Sequence, residues 1–356
     1  MALGREAKRR GKQRAPKDPR DAAPAPTVSV LAPAGLEQES TTTPAAGPPT
    51  DSQALVVGVH FFLWYILNIG YNITNKKSLN AIALPWSISA LQLAVGSTFV
   101  IPLWMLRLRS APGLTMANIK DLSPIAVCHM LSHVCATIGL GAGSTSFVHV
   151  IKATEPLLTA LISAVFLKQT FSPLVYLTLV PVVAGVGLTA RLTALKDFEF
   201  NWPAFIAAVG CTLANSTRAI LSKRAMGKDV GKNMTPGNTY AVLTMMATSM
   251  LLPLSAIVEG PEIQDRWDAT VTSTEKLDEI VYNVVASGVF FYLFNEVAFR
   301  CLGRVHPVTH AVGSAFKRVF FIATSIIVFK SKLTPLVAVG SYLAVTGVQL
   351  YRLAGE

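Results

Sequence analysis

Of the 356 residues, 51% are hydrophobic and only 14% charged, with a mean hydropathy of +0.47; soluble domains carry roughly one quarter charged residues. This composition excludes an ordinary soluble globular protein and points to an integral membrane protein. The formal net charge of +11 does not mark a nucleic-acid partner, because eight of the 31 Lys and Arg lie within the first 20 residues and most of the others flank apolar runs, as the positive-inside bias of membrane proteins leads one to expect.

Residues 1–50 are rich in Ala, Pro, Ser, Thr, Lys and Arg and lack an apolar run long enough for a secretory signal, so they are predicted to form a disordered basic tail. Glu6, Asp18 and Asp21 depart from the acid-poor composition of an organellar transit peptide; a solvated tail and a targeting segment both stay open. From residue 54 onward, apolar runs of about 20 residues, the length that crosses a hydrocarbon core, recur almost without pause. Ten spans are predicted, at 54–75, 82–106, 123–141, 145–167, 172–190, 202–222, 238–258, 280–300, 306–329 and 333–353. Turn signals separate them, among them SLNAIALP after the first, LGAGSTS after the third and VHP before the ninth. Only the stretch from Glu259 to Glu279, with seven acids and two bases, reads as a long loop. An even number of spans puts both termini on one face. That face carries 11 loop Lys and Arg against eight on the other, and the tail adds eight more, so the termini are expected on the cytosolic or equivalent side.

Two pairs of segments resemble each other in the same order. FLKQTFSPLVYL superposes on VFKSKLTPLVAV, matching Lys168 to Lys330 and Pro173 to Pro335; NIGYNITNKK superposes on NSTRAILSKR, matching Asn68 to Asn215 and Lys76-Lys77 to Lys223-Arg224. Together they predict a duplicated five-helix unit, 51–195 and 196–356, after the tail of 1–50. An odd-span unit repeated in tandem re-enters the membrane upside down, which places a site midway across at the repeat interface. The predicted fold is therefore all-α and integral to the membrane, ten transmembrane helices in two inverted five-helix repeats.

An ionisable group near mid-membrane costs about 2.5–3.5 kcal/mol or more, so those present normally face a cavity or a partner. The spans contain Lys152, Glu155, Arg218, Glu296, Lys317 and Arg318, with His133, His149 and His310. Four fixed cations thus meet two carboxylates. Internal pairing serves Lys152 with Glu155 one turn on, and Glu296 with one further base, but it cannot neutralise adjacent Lys317 and Arg318 together with Arg218, and two positive charges remain in excess. A phosphate monoester, at about −1.5 to −2 charge with three acceptor oxygens, matches that surplus; Arg offers a planar fork and Lys a point charge. Helical spacing sets His149 with Lys152, and His310 with Ser314 and Lys317, on shared faces. Asn68, Asn72 and Asn75 read more simply as interhelical hydrogen-bonding groups. Cys128, Cys135, Cys211 and Cys301 lie inside apolar runs with no CxxC spacing, so no metal site, disulfide framework or cofactor is predicted. No HExxH, G-x-S-x-G or P-loop speaks for an enzyme.

The segments FNEVAFRCLGRVHPVTHAVGSAFKRVFFIATSIIVF, SFVHVIKATEP, LNIGYNITNKKSLN and TRAILSKRAM resemble the plastidic phosphate translocators, collinearly over about residues 56 to 353. That family belongs to the drug/metabolite transporter superfamily. The resemblance implies a strict antiporter of a plastid envelope that exchanges inorganic phosphate for phosphorylated three-, five- or six-carbon metabolites. It further implies that Lys152, Lys317 and Arg318 hold the phosphate while His133 and Arg218, with His149 and Tyr292 nearby, meet the remainder. The family has Ser or Thr at the position of Ala136 and Tyr at that of Phe294, two hydroxyls this chain lacks; Thr137 and Tyr292 are the nearest replacements, Tyr292 from a different helical face. KRVFFIATSIIVF reads most like the triose-phosphate branch and HVCATIG like the hexose-phosphate one. A nucleotide-sugar transporter of the same superfamily is the alternative, and a membrane enzyme acting on lipid phosphates a more distant one.

Overall fold

The computed structural model describes residues 51–142, 148, 151, 152, 154–166, 168, 172–193, 201–228, 230–314, 316, 317, 339, 342, 343, 346, 347 and 350. In chain order the described helices are α1 (Asp51–Ala81), α2 (Pro85–Met105), α3 (Met116–Ala142), α4 (Glu155–Phe166), α5 (Pro173–Thr193), α6 (Trp202–Met226), α7 (Pro236–Thr270) and α8 (Thr274–Leu302), followed by helical residues 307–314. Among the described residues the one β-type pairing is an isolated bridge between Gly113 and Lys232. Six of these helices, α1, α2, α3, α6, α7 and α8, are long and apolar enough to cross a membrane. Predicted spans four, nine and ten fall partly outside the described residues, and α5 covers span five.

Helix starts follow from capping chemistry. Asn201 accepts from the Ala204 N–H at 3.0 Å, Thr235 from Asn238 at 3.3 Å and Ser273 from Lys276 at 3.3 Å, each satisfying a donor that the first turn leaves without an intrahelical partner. Helix α3 begins seven residues before the predicted span because Thr115 and Asn118 cap each other reciprocally: the Thr115 N–H donates to Asn118 Oδ1 at 2.8 Å and the Asn118 N–H to Thr115 Oγ1 at 3.3 Å. The acid-rich stretch from Glu259 to Glu279 is not a loop. Helix α7 runs through it to Thr270, and α8 begins at Thr274. Its acids ride a helix supported by Arg266–Glu262 and Gln264–Asp268 contacts one turn apart. Glu259 turns inward, accepting from the Trp86 and Ser87 N–H groups at 2.9 and 2.7 Å and so capping α2.

The broadest helix packings are α1 along α8 and α3 along α6. One end of the bundle is closed by a cluster that contains Leu79, Ile82, Leu140, Ala208, Ile280 and Val284, and another cluster holds Val100, Leu122, Val230, Tyr240 and Phe299. The first cluster joins the C-terminal parts of α1 and α3 to the N-terminal parts of α6 and α8, so both helix pairs run antiparallel. Close approach is set by Gly288, where a Cβ would stand 2.8 Å from Val95 Cβ and 3.2 Å from Gln92 Cα; a small residue there lets α2 and α8 touch backbone to backbone. Large apolar side chains such as Phe62, Ile66, Leu213 and Val285 are exposed on the outer faces, as a bilayer-facing surface allows. Polar groups such as Gln92, Asn75 and Ser287 are buried and bonded to one another.

Candidate functional site

Between the α1–α8 pair and the α3–α6 pair lies a cavity of about 110 Å³. Its wall is made by Trp64, Asn68, Tyr71 and Asn72 of α1, His129, Ser132, His133, Ala136 and Leu140 of α3, and Cys211, Asn215, Arg218 and Ala219 of α6. Phe291, Phe294, Asn295, Ala298, Phe299 and Leu302 of α8 complete it, together with Val148, Lys152, Glu155, His310, Ser314 and Lys317.

Three fixed cations, Lys152, Arg218 and Lys317, share this cavity with one carboxylate, Glu155. Glu155 is 3% exposed. It accepts from Asn215 Nδ2 and from the Ser314 hydroxyl at 3.2 Å. The Asn215 amide oxygen in turn accepts from Arg218 Nη2 at 2.7 Å, so one amide bridges the anion and a cation. Arg218 also lies over the Phe299 ring, its Cζ 5.2 Å from the centroid, and its Nη1 is 3.4 Å from His129 Nδ1. Lys317 Nζ sits over Trp64 at 4.6 Å and Phe294 at 5.6 Å, and Trp64 is stacked on His310 at 4.6 Å. Among the described residues, Trp64 Nε1, His129 Nε2 and Arg218 Nε are buried without a hydrogen-bond partner. Buried polar atoms without partners mark places where a ligand or water completes the bonding.

Glu296 is spent elsewhere. It is bound by Arg109 at 3.2 and 2.5 Å and by Arg300 at 2.5 Å, near the end of α8 and the α2–α3 connection. Burial works against the Arg109 charge, but hydrogen bonding and attraction to Glu296 outweigh it and raise the guanidinium's pKa above its ordinary value. With Glu296 committed there, the described lining residues of the cavity carry three fixed cations and one carboxylate.

Of the residues expected from the sequence, Lys152, Lys317, His133 and Arg218 come together on this wall. Tyr292 does not line it; its ring packs between Tyr240 and Phe99 at 5.3 and 5.5 Å. Arg318 and His149 lie outside the described residues. Thr137 donates its hydroxyl to the His133 carbonyl at 3.0 Å, while Ala136 and Phe294, the positions without the family hydroxyls, both line the cavity. Asn75 bonds Gln92 at 2.8 Å away from the cavity, whereas Asn68 and Asn72 reach it. Trp64, Tyr71 and His129 were not legible as site residues, since an aromatic or His on an apolar helix reads first as core. One signal was available. The wall residues of α1 and α6 fall at one constant separation (Trp64 with Cys211, Asn68 with Asn215, Tyr71 with Arg218), and those of α3 and α8 at another (His129 with Phe291, His133 with Asn295, Ala136 with Ala298). The second separation also relates Lys152 to Ser314 and Glu155 to Lys317.

The model of the Triose-phosphate Transporter family matches residues 55–352. The chain is 37% identical over 306 residues to glucose-6-phosphate/phosphate translocator 2, chloroplastic, of Arabidopsis thaliana, covering 86% of this chain and 76% of that one. It is 36% identical over 300 residues to the chloroplastic triose phosphate/phosphate translocator of Spinacia oleracea, covering 84% and 72%. One solved crystal structure superposes with a TM-score of 0.60 at 18% identity, covering 85% of this chain and 98% of that one, a likeness of fold.

Proposed function

The chain belongs to the Triose-phosphate Transporter family, whose members are transporters and not enzymes, and from that premise we propose that this multi-pass membrane protein exchanges inorganic phosphate for phosphorylated small metabolites across a plastid envelope. Three-carbon esters are the first choice of organic substrate. The observation that carries the proposal is the convergence of basic side chains on one cavity: among the described lining residues, Lys152, Arg218 and Lys317 stand with a single carboxylate, Glu155. Lys152 and Lys317, joined by Arg318, clamp the phosphate; His133 and Arg218, with His149, meet the rest of the molecule. The relatives named above include both triose-phosphate and glucose-6-phosphate translocators.

The same proposal takes the chain as ten helices in two inverted five-helix units, 51–195 and 196–356, with both termini on the cytosolic-equivalent side. The paired separations of the wall residues support it, since an inverted duplication brings equivalent positions of both units to one central surface. Strict exchange follows from electrostatics. Closing the cavity empty would bury mutually repelling cations at several kcal/mol per ion, so the unloaded carrier turns over slowly and phosphate or its ester permits closure. In liposomes, uptake of labelled phosphate is expected only with phosphate or an ester inside. Equally fast uptake into empty vesicles would contradict the proposal, as would a Lys317→Gln variant that inserts and exchanges at the unaltered rate.

A further inference from the structure

Two lysines outside the central charge cluster make one and the same contact at opposite ends of the molecule. Lys76, in the last turns of α1, donates from Nζ to the carbonyl of Leu140 at the end of α3, 3.0 Å away. Lys223, in the last turn of α6, donates to the carbonyls of Leu302 and Gly303 at the end of α8, at 2.9 and 3.0 Å. The final carbonyls of a helix have no intrahelical donor and carry the negative end of its dipole, so an ammonium placed there makes a charge-assisted bond.

The contacts correspond in sequence too. Lys76 and Lys223 stand at the separation that relates Asn68 to Asn215, and Leu140 and Leu302 at the one that relates His133 to Asn295. Both bonds cross the same seam. Helices α1 and α8 pack as one pair and α3 and α6 as the other, with the cavity between them; Lys76 ties α1 to α3, and Lys223 ties α6 to α8. Leu140 and Leu302 both border the cavity. Leu140 belongs to the apolar cluster at the end where α1 and α3 finish. The antiparallel run of α1 and α8 puts Leu302 at the other end.

We propose that Lys76 and Lys223 are positioning residues that latch the two mouths of the cavity, each bond breaking when its own face opens and holding when the opposite face opens. An ordinary helix cap would need no counterpart on the other face and would not have to join the two helix pairs that flank the cavity. The part these latches play in transport rests on the counter-exchange proposed above, so the test reads the mouths directly.

Cys211 borders the cavity and is 3% exposed. Replacing Cys128, Cys135 and Cys301 by Ala leaves it the sole cysteine. In sealed vesicles of defined orientation, its reaction with a charged, membrane-impermeant methanethiosulfonate is timed from each face, and phosphate–phosphate exchange is measured on the same vesicles. Lys76→Gln is expected to speed labelling about tenfold or more, only from the face where α1 and α3 end; Lys223→Gln should do so only from the face where α6 and α8 end. Lys76→Arg and Lys223→Arg retain the donors and should label at the background rate. Unchanged labelling in both Gln variants overturns the latches, and so does a rise from both faces alike or Arg variants that behave like the Gln ones. Face-specific labelling in vesicles that show no phosphate exchange would sustain the latches and sink the transport proposal.

Discussion

Lys317 holds its ammonium 4.6 Å from the centroid of the Trp64 indole, and Trp64 is itself stacked on His310. The aromatic face stabilises the cation and fixes where the ammonium sits on the cavity wall. Such contacts are worth about 0.5–1 kcal/mol when exposed and about 2 when desolvated. Trp64→Leu removes the face and lets the Lys317 side chain explore other rotamers. The KM for phosphate in liposome exchange is expected to rise about five- to thirtyfold, with Trp64→Phe intermediate. An unmoved KM in Trp64→Leu would remove the indole from the site.

The Arg109–Glu296–Arg300 cluster is a structural tie and not part of the cavity. Glu296 is almost wholly buried, Arg109 less so, and the Arg300 side chain is 44% exposed. Removing one partner of a buried pair costs about 3–5 kcal/mol, whereas exposed pairs are worth about 1 kcal/mol or less. Arg109→Gln should therefore lower the stability of the detergent-solubilised protein by about 1–3 kcal/mol and Arg300→Gln by less. Thermal unfolding of the two variants checks the order. Arg300→Gln proving the more damaging would mean that Glu296 depends on the outer guanidinium.

Ala136 lines the cavity one turn from both His133 and Leu140. A hydroxyl placed there faces the space that holds the anion and supplies one hydrogen bond, worth about 0.5–1.5 kcal/mol. Ala136→Ser is expected to lower the KM for phosphate about two- to tenfold in the exchange assay. Phe294→Tyr adds a hydroxyl beside Lys317, whose Nζ already stands 5.6 Å from that ring, and should act in the same direction. A KM that stays put or rises in both variants would show that the site does not use those positions.

Much of this site was legible because charge in an apolar span is conspicuous: Lys152, Arg218 and Lys317 stood out against their neighbours and do share a wall. Tyr292 and Trp64 show where that signal fails. Both are aromatic residues on apolar helices, and only packing decides that the Trp64 ring meets Lys317 while Tyr292 packs against Tyr240 and Phe99. The stretch after Glu259 was misjudged for a related reason. Acidity reports contact with water and not the backbone's conformation, and a helix that outruns the lipid keeps its hydrogen bonds while its side chains turn polar. The Asn68–Asn215 match was visible in the sequence, but only the cavity shows that both residues border one space.

Asn215 offers the sharpest test of the charge surplus. Its amide donates to Glu155 and accepts from Arg218 at 2.7 Å, holding an anion and a cation apart without adding charge. Asn215→Asp keeps the shape and introduces a second carboxylate next to Arg218. If net positive charge is what draws phosphate into the cavity, the carboxylate satisfies Arg218 internally and cuts the excess of fixed positive charge from two to one. A unit charge about 4 Å away is worth about 4 kcal/mol at an effective dielectric of 20, and protonation of one of the two acids would absorb part of it. The KM for phosphate is expected to rise tenfold or more at pH 8. Asn215→Leu also breaks the bridge but adds no charge, so its KM should rise less. Equal KM values for Asn215→Asp and the unaltered protein at pH 8 would mean that the cations are not what binds the anion.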